Sequence, residues 1–179
     1  MPVPRLSSPP MTALDIMLAR PNYMFADLGL DAIDRGLADP RLARFLEDVR
    51  ASGGIADNRL RLHMPYLSLC SDKVGDGVPP PIFYVGQDCS QRHLFGDDWT
   101  QSPEMGLRTP DAALEAAAAD GYRIALERGA YYGYARTRLH LNGAPVEVAF
   151  ERLIVALRPR AGAPTRFCAY YGLIQSIAR

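Results

Sequence analysis

Two adjacent carboxylates, Asp97 and Asp98, three cysteines and three histidines are the side chains of this chain best able to do chemistry, and their spacing argues against it. A carboxylate pair acting as acid and base must converge on one substrate. Neighbours on a strand point to opposite faces, and in the run Gly96-Asp97-Asp98-Trp99 acids of this kind cap or bend the chain. Cys70, Cys89 and Cys168 have neither C-x-x-C spacing nor the even number of a disulfide framework, so they read as free thiols in a reducing compartment. His63, His93 and His140 lack partners at metal-ligand spacing. Phosphate-loop, Rossmann and G-x-S-x-G patterns are absent as well. The expectation is a chain with no catalytic residues and no metal site.

Aromatic side chains offer a different chemistry, the lining of an apolar pocket. Tyr84, Trp99, Tyr122, Phe150 and Tyr171 are the candidate ligand-binding residues. Ordinary core packing is the competing role for each. Tyr122 and Tyr171 carry more weight, because a buried phenol needs a hydrogen-bond partner.

The elements that must position them are clearest at the C-terminal end. Tyr131 to Leu141 and Pro145 to Leu157 flank Asn142-Gly143, the preferred pair for a two-residue type I′ turn. With that pair as the loop, Leu141 opposes Ala144, Leu139 opposes Val146, Thr137 opposes Val148 and Ala135 opposes Phe150. On the other face Arg138 meets Glu147 and Tyr134 meets Glu151. Apolar groups then meet apolar ones, and a slip of one residue would invert every side chain. The second strand also changes phase: its apolar residues are even-numbered to Phe150 and odd-numbered from Leu153. A β-bulge near Glu151-Arg152 is the expected cause, with burial of both faces as the alternative. A third strand, Arg166 to Ile174, follows the turn-rich loop Pro159 to Pro164.

Upstream, Thr12 and Asp15 suggest a cap for a short helix, Ala13 to Arg20. Asp39 caps a second helix with Pro40 in its first turn, and Leu42, Phe45, Leu46 and Val49 form its apolar stripe. Asp27 to Gly36 holds a further helical turn. Leu60 to Leu69 reads as extended and interrupted at Pro65, Pro81 to Val85 as a short strand, and Gln87 to Phe95 as a helix. The longest helix begins at Thr109-Pro110-Asp111 and runs to Arg128, with Gly129 beyond it. Leu114, Ala118, Tyr122 and Ala125 share one of its faces.

Twenty basic and twenty acidic residues cancel, so no global field draws the chain to nucleic acid or an anionic membrane. No run is long and apolar enough to span a bilayer, and Met1 to Pro10 lacks the apolar core of a signal peptide. A cytoplasmic location follows by default.

The stretch PIFYVGQDCSQRHLFGDDW, a long helix and then VAFERLIVALRP together resemble a PAS-like family found mainly in alphaproteobacterial proteins. Family members show an "LP" segment before the first strand, here Met64-Pro65 with Leu67 and Leu69. They continue with a strand ending in glycine and a helix ending "LFG", here Phe83 to Gly86 and Leu94 to Gly96. A later strand resembles "ERLxLPL", here Glu151 to Leu157 with Ala156 in place of the usual proline. The resemblance covers roughly Leu60 to Ile177, and the PAS-like domain is expected over residues 60–179. It implies an α+β, PAS-like fold, a five-stranded antiparallel sheet with helices on one side, preceded by N-terminal helices in residues 1–59 that pack on it or dimerise it. It also implies a non-catalytic sensory module that binds a small molecule or a protein partner. With no kinase, cyclase or DNA-binding segment in view, such a module is expected to signal in trans or through a homodimer, for which the helix Pro40 to Arg50 is the candidate element.

Neither flavin nor haem is expected as a cofactor. GQDCSQR is superficially similar to the motif of light-sensing PAS relatives, and Gln175 to their flavin-facing glutamine. However, Asp88 stands where that motif has asparagine, and Ser90 and Gln91 replace its arginine and phenylalanine. Haem-binding relatives carry their histidine on the long helix, and Asp111 to Arg128 contains none. The alternative function is a small pocket enzyme of ketosteroid-isomerase type, which a buried carboxylate or tyrosine facing a deep apolar cavity would favour.

Overall fold

In the computed structural model, residues 23–101 and 112–179 are described. Six strands form one antiparallel sheet: β1 (Tyr23–Asp27), β2 (Ser68–Ser71), β3 (Ile82–Val85), β4 (Ala130–Leu141), β5 (Ala144–Leu157) and β6 (Phe167–Ala178). Their spatial order is β1-β4-β5-β6-β2-β3. The helices are α1 (Leu30–Asp34), α2 (Pro40–Ala51), α3 (Ser90–Phe95) and α4 (Ala112–Arg128). The protein is therefore α+β, with one antiparallel sheet. The helix expected over Ala13 to Arg20, and the start expected for the longest helix at Thr109-Pro110-Asp111, lie outside the described residues.

The β4–β5 hairpin has the register its turn dictates. Leu141 pairs with Ala144, Thr137 with Val148, Ala135 with Phe150 and Tyr134 with Glu151. Asn142 and Gly143 have φ of 52° and 78°, the left-handed values a type I′ turn needs. Arg138 does oppose Glu147, but the ion pair runs diagonally, from Arg136 to Glu147.

Three features depart from the expectation. The sheet has six strands rather than five, because β1 pairs along the outer edge of β4, from Tyr23 opposite Thr137 to Asp27 opposite Gly133. Five residues are too few to announce a strand by alternation. Leu60 to Tyr66 is not extended but makes two 3₁₀ turns, Leu60–Leu62 and Met64–Tyr66, with Pro65 inside the second. The phase change in β5 is not a bulge at Glu151-Arg152, since the β4–β5 ladder is continuous from Ala130 opposite Val155 to Leu141 opposite Ala144. The register shift lies instead between β5 and β6, where Phe150 pairs with Ile174 and Ala149 with Ser176, leaving Gln175 as the extra residue.

Both faces of the sheet are covered, so both alternations of β5 are apolar. On the back face, Leu42, Phe45 and Leu46 of α2 and Ile33 of α1 pack on Tyr132, Leu153, Val155, Leu157 and Tyr171. Asp39 caps α2 by accepting from the Arg41 N–H at 2.9 Å. The candidate dimer helix thus buries its apolar stripe against its own sheet. On the front face, α3 and α4 cover Val148, Phe150, Ile154 and Tyr170. Residues 60–179 alone supply five strands with α3 and α4 on one face, and the preceding segment adds β1 and covers the other.

Candidate functional site

Alanines set the distance between α4 and the sheet. Ala119 and Ala125 are fully buried, so the helix lies close over β4 and β5. The shorter α3 is capped by Cys89, whose Sγ accepts from the Arg92 N–H at 3.4 Å, and it rests on β6. Between these two helices and the sheet lies a cavity of about 60 Å³. Phe25, Leu94, Phe95, Leu139, Phe150 and Ile174 contribute apolar wall. Ser90, Gln91, Thr137, Tyr122, Tyr170 and Arg152 bring polar atoms to it.

Arg152 is the unusual member. It follows Val146, Val148 and Phe150 in the even-numbered alternation of β5, so the sheet aims it inward and leaves it 2% exposed. Its Nη1 donates to the Ala118 carbonyl at 3.2 Å. The guanidinium carbon lies 4.5 Å from the Phe25 ring centroid and 4.9 Å from that of Tyr131, within cation–π range. Its Nε is buried and makes no hydrogen bond among the described residues. Gly121 makes room for this side chain in the middle of α4, because a Cβ there would stand 2.7 Å from Nη2.

The two tyrosines of the cavity are held as neutral phenols, able to donate hydrogen bonds. Burial pushes the Tyr170 phenol up to about 12, against the lowering effects of Arg152 and a hydrogen bond with Ser90. Burial also holds Tyr122 well above the usual phenol range. Their rings stack with centroids 6.4 Å apart. Gln91 is fixed by its Oε1, which accepts from Ser68 Oγ at 2.5 Å.

The five candidate binding residues separate. Tyr122 and Phe150 line the cavity. Trp99 is buried just behind it, 5.3 Å from the Phe95 ring. Tyr84 donates to the Met64 carbonyl at 3.2 Å, away from the cavity. Tyr171 lies on the back face, between Phe45 at 5.6 Å and Tyr66 at 5.9 Å. His93, Asp97 and Asp98 are exposed, and Cys70, Cys89 and Cys168 are buried free thiols. Among the described residues, no cluster of three or more His, Cys, Asp or Glu could hold a metal ion, and no helix is long and apolar enough to cross a membrane.

Sequence reasoning missed Arg152. The signal was present in the phase change of β5, where a charged residue occupies an inward position, but the bulge assigned there would have turned it outward. Compared with known proteins, the chain matches no family model, and no curated protein or solved structure is significantly similar to it.

Proposed function

We propose that the chain is a PAS-like, non-catalytic sensory or regulatory module that holds a small molecule between its sheet and helices α3–α4. The observation that carries this reading is the front-face cavity, with its apolar wall and inward-facing polar groups, beneath the helices that follow β3. Small-molecule sites are concave and mostly apolar, with a few placed polar atoms. The resemblance implies a ligand in this position, and the five antiparallel strands of residues 60–179, with α3 and α4 on one face, support it. Occupancy would be passed on in trans, to a partner protein or a second copy of the chain.

Native mass spectrometry on protein purified from its source organism, compared with the mass after denaturation, tests this. A retained small molecule that leaves on denaturation is the expected result. Protein carrying nothing, whose Tm is also unmoved by a metabolite extract, would sink the ligand reading.

A pocket enzyme is favoured by one observation, the buried phenols of Tyr122 and Tyr170 in the cavity wall. Such an enzyme pairs a phenol donor with a carboxylate base. Glu115 is the one carboxylate among the described lining residues. Turnover of a ketosteroid by the wild-type protein, lost on Glu115→Gln, would replace the sensor with the enzyme.

A further inference from the structure

We infer that the front-face cavity takes a small monocarboxylate with a short apolar tail, its carboxylate on Arg152. The inference rests on reading this cavity as a ligand site, and it names the ligand class. A guanidinium taken out of water is unfavourable unless acceptors or an anion face it. Arg152 is 2% exposed, yet its one hydrogen bond among the described residues goes to the Ala118 carbonyl, and Nε has none. The faces of Phe25 and Tyr131 attract the cation but offer no lone pair to its N–H groups. Glu115 stands in the same wall and has contacts of its own.

The shape of the site narrows the anion. A planar guanidinium matches a carboxylate through two parallel bonds, a geometry a halide cannot use. Phosphate would set several charged oxygens against Leu139, Phe150 and Ile174, whereas an alkyl tail suits that wall. The neutral phenol of Tyr122 and the hydrogen-bonded Ser90–Tyr170 pair, which has one hydroxyl proton to spare, add donors for a second carboxylate lone pair. At about 10–15 Å³ per water-sized group, a cavity of about 60 Å³ admits a tail of only a few carbons.

Thermal denaturation and calorimetry on the full chain test this with propionate and butyrate against propionamide and butyramide, at constant ionic strength. Chloride and inorganic phosphate serve as anion controls. Both acids are expected to bind saturably and raise Tm by a few degrees at millimolar concentration. Their amides should bind about tenfold more weakly or worse. Arg152→Met should abolish the response to the acids while remaining folded, since an apolar isostere commonly replaces a buried charge without loss. Should that variant fail to fold, Arg152→Lys, which keeps the charge and loses the fork, should bind the acids more weakly than wild type.

Equal binding of acid and amide, a response to phosphate as strong as to propionate, or a response that survives Arg152→Met overturns the assignment. So does the absence of any response to the acids. A neutral molecule retained in native mass spectrometry would then keep the cavity as a ligand site and remove only the anion. No retained molecule and no Tm response of any kind would remove both.

Discussion

Glu151 and Arg152 are consecutive residues of β5, and the sheet sends one to each face. On the back face the Glu151 carboxylate is fully engaged. Oε2 accepts from the Tyr132 hydroxyl at 2.9 Å and from the Asp39 N–H at 3.1 Å, while Oε1 accepts from Gln175 Nε2 at 2.8 Å. One charge thereby joins β4, β6 and the cap of α2. On the front face Arg152 makes a single hydrogen bond among the described residues and borders a cavity of about 60 Å³, against about 10 Å³ for the depression beside α2. The back face uses its ion as a structural clasp. The front face leaves its ion beside open volume.

If the back face is packed for stability and the front face is not, one truncation should cost different amounts on the two sides. Phe45→Ala, at a fully buried ring within 5.6 Å of Tyr171, is expected to lose about 3–5 kcal/mol in urea unfolding. Phe150→Ala removes a ring that already borders open volume, so fewer contacts are lost, and about 2 kcal/mol is expected. Equal losses would break the contrast between the faces. The charges give the next largest effect. Glu151→Leu strands the Tyr132 hydroxyl and the Asp39 N–H and should cost about 2–4 kcal/mol. A loss smaller than that caused by Arg152→Met would show the clasp on the wrong face.

Alkali probes the front face through its buried acids. Burial pushes the Cys168 thiol from 9.0 up to about 12 and the Tyr170 phenol from 10.0 up to about 12. Because both folded-state values lie above the unfolded ones, each group supports the fold fully below the unfolded pKa. That support drains away as pH rises towards the folded value. Unfolding free energy should therefore be flat across neutral pH and fall from about pH 9 to about pH 12, by about 4 kcal/mol for Cys168 and, from about pH 10, by about 2–3 kcal/mol for Tyr170. Tyr170→Phe should flatten the part of the fall above pH 10. A wild-type curve that stays level to pH 12 would mean that these groups are not buried as described.

Elements whose period repeats over many residues were legible in the sequence. The β4–β5 register followed from one Asn-Gly turn and a dozen alternating residues, and α2 from its cap, its proline and four apolar positions. β1 was not legible, because five residues held in place by pairing with β4 carry no pattern of their own. Nor were the 3₁₀ turns around Pro65, whose apolar spacing imitates a strand. The site was half legible. Tyr122 and Phe150 were found as aromatics at inward positions, whereas Tyr84 and Tyr171 have the same composition on the wrong side of the sheet. Arg152 was hidden by a reasonable rule, that charged residues face water, at the one position where the sheet overrides it.

Gly121 offers the finest test of the contrast, because it separates helix stability from the pose of the guanidinium. In the middle of a helix, glycine is about 1 kcal/mol worse than alanine, so Gly121→Ala should stabilise α4 if nothing stood in the way. Its Cβ would come within 2.7 Å of Arg152 Nη2 and 3.1 Å of Cζ, so the guanidinium must shift. The tip of a long side chain can move, and the two effects should nearly cancel, leaving stability within about 1 kcal/mol of wild type. The response to propionate should nonetheless fall, because the fork no longer faces the cavity at the same angle. A variant that gains the full helix propensity and binds propionate as before would mean that Arg152 does not rest on α4, and the front face would lose the feature that sets it apart.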